Sequence, residues 1–136
     1  MPAFHSLRPL AVLLGLTLSL VSTSGSASTY DALLGTFGLV EQGRMIEVLR
    51  IERHGHDLLL YQKHGGQWLA PVVVQPVRKA RLETLIKQPI DVPFEGLGND
   101  RLAVLRVPKG WRFGAFECDT GYWLATSLGP AELHKL

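Results

Sequence analysis

Apolar residues are distributed in two different ways along this chain. Residues 9–21, PLAVLLGLTLSLV, form one almost unbroken apolar block. Beyond residue 34 the apolar positions come in short runs, and Gly and Pro punctuate them densely. Short runs bounded by turn formers predict strands rather than helices. Such runs are Gly35 to Val40, Arg44 to Arg53, Asp57 to His64, Gln67 to Val74, Arg101 to Val107, Arg112 to Cys118 and Tyr122 to Ser127.

The details of each run sharpen this expectation. In Arg44 to Arg53 the alternation slips by one: Ile46 and Val48 share one face, Leu49 and Ile51 the other. Such a slip predicts a β-bulge or a strand buried partly on both sides. Three-to-four spacing would also fit a helix there, but Gly43 and Gly55 bracket the run tightly and favour a strand. Gly65-Gly66 lies between two β-rich runs and predicts a hairpin, because a primed turn needs positive φ at its centre. Pro71 cannot donate to a ladder, so the arm after that turn must lie at an edge or bend there. Asp119-Thr120-Gly121 suggests another tight hairpin turn. Residues 76–88, PVRKARLETLIKQ, fit both periods, and a short helix after Pro76 is preferred. The expected fold is therefore mainly β, a small antiparallel barrel or sandwich with one short helix.

The apolar block has a different meaning. A start with Arg8, a core of about 13 residues and a small-residue stretch STSGSAS is the order of a secretory signal peptide. The core is shorter than the ~20 residues that span a bilayer as a helix. Gly25 with Ala27, or Ser26 with Ser28, would suit the shallow pockets of a signal peptidase. The reading is a cleaved signal over 1–28 and a single β-rich domain over 29–136, placed in the periplasm or secreted, with no stable membrane anchor after cleavage. No cysteine near the cut could carry a lipid.

Composition adds limits. The 136 residues carry 14 Lys plus Arg against 12 Asp plus Glu, a net charge of +2. That is too small an excess for a dedicated nucleic-acid binder. The lone cysteine, Cys118, cannot build an internal disulfide framework. It neighbours Glu117 and Asp119, which discourage a thiolate, so a small buried core residue is expected. His54 and His56, with His64 or Asp57, are the one set with metal-ligand chemistry. Gly55 marks a turn there, so no metal site or other cofactor is assigned. Asp119-Thr120-Gly121 spells the aspartic-protease triplet, but those enzymes need two facing copies. Gly96 to Asp100 is a Gly-rich loop without the Lys-Ser/Thr of a phosphate loop. Arg78-Lys79-Ala80-Arg81 reads as a solvated or edge-protecting charge run. No paired acid–base set is visible, and no catalytic residue is assigned.

Leu34-Gly35-Thr36-Phe37, followed by hairpins and closing strands rich in Trp and Tyr, resembles small lipocalin-like bacterial extracytoplasmic barrels. The resemblance implies a barrel that binds an apolar ligand or a partner, not one that runs a reaction. The residues themselves supply candidates. Trp68, Trp111, Phe113, Tyr122 and Trp123 could line a cavity, or fill the barrel as plain core. The expectation is a non-enzymatic exported protein that contacts a small apolar ligand or envelope component. The alternative is a periplasmic inhibitor or immunity-type protein that blocks a hydrolase, with Glu95, Leu97, Asn99 and Asp100 on a protruding loop.

Overall fold

The structure is a computed structural model that describes residues 30–136. The signal peptide inferred for 1–28 lies outside the described residues. Eleven strands and one helix follow a short 3-10 turn, Asp31–Leu33. The strands are β1 (Gly35–Glu41), β2 (Arg44–His54), β3 (Asp57–His64), β4 (Gln67–Trp68), β5 (Val72–Pro76), β6 (Glu95–Gly98), β7 (Leu102–Arg106), β8 (Trp111–Phe113), β9 (Phe116–Cys118), β10 (Tyr122–Thr126) and β11 (Gly129–Lys135). The helix, α1 (Lys79–Ile86), stands between β5 and β6.

Eight strands close into an antiparallel barrel in the order β1, β2, β3, β5, β6, β7, β10, β11, with β11 returning to β1. The barrel, not the sandwich, is thus the architecture. Each ladder sets inner residue against inner residue: Phe37 opposite Leu49, Ile51 opposite Leu60, Leu58 opposite Val74, Leu97 and Leu124 opposite Val104, Tyr122 opposite Leu133. These side chains pack into one core with Leu33, which comes from the 3-10 turn. That turn stoppers the end of the barrel where β2 and β11 finish. Arg53 holds Asp31 at 3.6 Å, and Lys135 Nζ donates to the Ala32 carbonyl at 3.0 Å.

A second core lies outside the barrel. Ala103, Leu105, Trp123 and Ala125 alternate with the inner residues of β7 and β10, and α1 and the hairpin β8–β9 cover them. β7 is therefore buried on both faces, which is why its sequence runs apolar without alternation. Helix α1 is anchored by the fully buried Leu82 and ends at Lys87 in a left-handed conformation, φ +60°. Glu83 ties the following chain down by accepting from the Ile90 amide at 2.8 Å.

Several expectations are met in detail. His64 faces Gln67 across the Gly65-Gly66 hairpin. The register shifts between Phe37 and Gly38, leaving Val48 as the extra residue of a bulge in β2. Pro71 splits its arm into β4 and β5. Residues 79–86 of the ambiguous stretch are helical.

Four expectations are corrected. Arg112 to Cys118 is not one strand but the hairpin β8–β9, because Gly114 takes φ +56° and turns the chain. Asp119-Thr120-Gly121 is not a hairpin turn, since β9 and β10 do not pair. It is a crossover from the outer layer to the barrel, pinned by Thr120 Oγ1 donating to the Leu133 carbonyl at 2.7 Å. Glu95 to Gly98 is not loop but β6, because its two glycines allow close approach to neighbouring chain rather than a turn. The closing strand β11 has no run of its own in the sequence reading; its Pro130 sits near the strand start, opposite Ala125.

Candidate functional site

The five aromatic candidates do not share a cavity. Tyr122 alone faces the barrel interior, where its ring lies 5.4 Å from that of Phe37. Trp111, Phe113 and Trp123 gather with Phe116 on the outer face, with Trp123 at 5.3–5.6 Å from the other three rings. Their main work is to seat the hairpin β8–β9 on the barrel wall. Trp68 stands on the outer face near the open rim. The Arg50 guanidinium packs between it and Tyr61, 4.7 and 5.0 Å from the ring centroids, and Lys63 lies 5.2 Å from the Trp68 ring.

The candidate site is the open end of the barrel, opposite the stopper. There Leu39, Val48, Leu49, Leu69 and Leu124 wall a cavity of about 210 Å³, and Gln62, Lys63 and His64 form its polar side. A second hollow of about 310 Å³ adjoins it at Val48, Lys63 and His64 and runs past Ile46 to Gly65-Gly66. The local cause is the bulge in β2. β3 leaves β2 beyond the Leu49–Gln62 pair, so the ribbon of β1 and β2 continues alone and the wall parts there. Below the mouth the interior is filled by Phe37, Leu60, Val104 and Leu133. The cavity is thus a shallow cup, suited to a short apolar group whose polar end stays at the rim. Val40, Met45, Ile46 and Leu69 are exposed around or beside it.

The other candidates have structural places. Leu97 is fully buried in β6, and Glu95 stands opposite Arg106 in the same sheet. Only Asn99 and Asp100 lie in a turn. Asn99 Oδ1 closes it by accepting from the amides of Arg101 and Leu102, and Asp100 pairs with Arg81 at 3.4 Å. No protruding loop of residues 95–100 exists. His54 Nε2 lies 3.0 Å from Glu52 Oε1. That contact, aided by Arg50, holds the Glu52 carboxyl below its ordinary range. Among the described residues no three His, Cys, Asp or Glu side chains gather as a metal site.

Cys118 is fully buried, and its Sγ donates to the Tyr122 carbonyl at 3.3 Å. Burial pushes its thiol pKa up. Iodoacetamide at pH 7.5 is therefore expected to leave the native thiol unlabelled over an hour and to modify it rapidly in urea. Mass spectrometry reads both, and fast native labelling would contradict the burial.

The sequence reading missed the mouth residues Leu39, Val48, Leu69 and Leu124. The alternation slip around Val48 was their one signal, since a bulge at a barrel rim opens the wall. No known protein family, no curated protein and no solved structure matches this chain. Among the described residues no helix is long and apolar enough to cross a membrane.

Proposed function

We propose that this chain is a non-enzymatic, exported binding protein that holds an apolar group of a small ligand or envelope component in the mouth of its barrel. The observation that carries this reading is the cup of leucine and valine side chains above a filled interior. Barrel mouths are common ligand positions, and a few polar groups at the edge orient what enters. Lys63 and His64 would meet the polar end of such a ligand. The small volume favours a single short alkyl or aromatic group over an enclosed lipid. Export rests on the apolar block and small-residue stretch of residues 1–28.

The alternative is a periplasmic inhibitor that covers the cleft of a hydrolase. The exposed Val40, Met45 and Ile46 favour a protein partner seated on the rim. With residues 95–98 in the barrel wall, this contact would come from the β1–β2 ribbon.

A neutral fluorophore, N-phenyl-1-naphthylamine, separates the two. Saturable blue-shifted emission, displaced by octanol, is expected for the purified protein. Leu69→Glu places a carboxylate in the cup wall and is expected to weaken binding about tenfold, the equivalent of ~1.4 kcal/mol. Absence of saturation, or binding indifferent to Leu69→Glu, would sink the small-ligand reading and leave the rim to a protein partner.

A further inference from the structure

A second cavity of about 210 Å³ lies outside the barrel, between the end of α1, the hairpin β8–β9 and the turn from β10 to β11. Its walls include Leu85, Phe113 and Trp123, and Lys87 and Leu128 stand at its edge. Three observations there are not explained by packing alone. The indole N–H of Trp123 has no hydrogen-bond acceptor among the described residues, although the residue is 0% exposed. A buried tryptophan N–H usually finds a partner, and leaving one unmade is costly. Lys87 occupies a left-handed position, φ +60°, where glycine is the ordinary residue after a helix. Among the described residues it has no carboxylate within ion-pair distance. Leu128 is 97% exposed in the turn beside the cavity, an apolar side chain with nothing packed on it.

These features specify an occupant. The volume exceeds the ~150 Å³ cavity that is known to accept benzene in another protein, so one ring with a small substituent fits. Two walls are aromatic. The donors at the site are an unused N–H and an ammonium, and no carboxylate lines it. The Thr126 hydroxyl is already engaged, donating to the Gly129 carbonyl at 3.3 Å and accepting from the Leu128 amide at 3.2 Å. We propose that this cleft is a second ligand site, that it takes a small aromatic carboxylate, and that the ring lies against Phe113 and Trp123 with the carboxylate held by Lys87. The site is separate from the barrel mouth and does not depend on the reading given for it.

Benzoate is the probe, and the indole ¹H–¹⁵N resonances of the purified protein are the readout. The three tryptophans give their own controls, and Trp68→Phe and Trp111→Phe assign Trp123 by elimination without removing it. The expected result is a saturable shift of the Trp123 resonance, with Trp68 unmoved and an affinity of about millimolar for a ligand this small. Lys87→Gln, at an exposed helix end, is expected to weaken binding about five-fold, as for an exposed ion pair. Benzamide, which lacks the charge, is expected to bind the original protein as weakly as benzoate binds Lys87→Gln. Leu69→Glu, which alters the barrel mouth, is expected to leave the titration unchanged. A Trp123 resonance that does not move, a shift that rises without saturation, or a titration indifferent to Lys87→Gln would overturn the proposal.

Discussion

Trp123→Ala is expected to destabilise the protein by about 4 kcal/mol, at the upper end of what large-to-small core substitutions cost. The indole is fully buried between β7 and the hairpin β8–β9, and three aromatic rings rest on it. Removing it leaves a void that these rings cannot close together, because Trp111, Phe113 and Phe116 are carried by one short two-stranded ribbon. Small domains have only about 5–15 kcal/mol of stability in total. At roughly 4–8 °C per kcal/mol for a domain of this size, the melting temperature should fall by about 15–30 °C. Thermal unfolding followed by circular dichroism reads this directly. Trp68→Ala is the control. Trp68 is half-exposed and is packed mainly by Arg50 and Lys63, so its loss should stay within about 1 kcal/mol. Equal effects at the two sites would mean that the outer aromatic cluster is not a core.

Gly98→Ala is the second large effect, and it works by the opposite route. Gly98 faces Ala103 across the β6–β7 ladder. A methyl group there would collide with the Leu102 carbonyl oxygen and come within 2.9 Å of the Ala103 Cα. Both obstacles are backbone, so the two strands must separate. The expected cost is about 3 kcal/mol, the range of overpacked cores. Gly96→Ala, two residues earlier in the same strand, meets the Leu105 side chain at 2.6 Å and Val77 Cβ at 3.2 Å. The leucine methyl can rotate away, so this variant should cost clearly less. Chemical denaturation of both proteins orders them, and a Gly98→Ala protein as stable as its parent would refute the close approach of these strands.

Much of the barrel was legible because its strands are short and framed by turn residues. Gly65-Gly66 set a register that the structure keeps, and the slip at Val48 marked the bulge that parts the wall. What was not legible depended on layers. Leu102 to Leu105 is uniformly apolar, so no rule of alternation could say which residues face the interior and which face α1. For the same reason Trp123 and Tyr122, neighbours in the chain, look alike in sequence, although one supports the outer layer and the other faces the barrel interior. Gly96 and Gly98 read as turn formers, yet they serve close packing within β6. The mouth was hidden because its residues come from strands far apart in the chain and are ordinary leucines and valines.

The ring is closed by the first and last strands. Phe37 lies opposite Lys135 and Gly38 opposite His134, and the Leu136 amide donates to the Thr36 carbonyl at 2.9 Å. A growing chain therefore cannot complete the barrel until β11 has left the ribosome, however early β1 to β3 emerge. Closing a loop of nearly the whole domain is slow compared with local pairing. The unfinished chain keeps two open edges during that interval, the state in which a translocation channel or a chaperone can engage it. Synthesis and folding are thereby separated in time by topology alone.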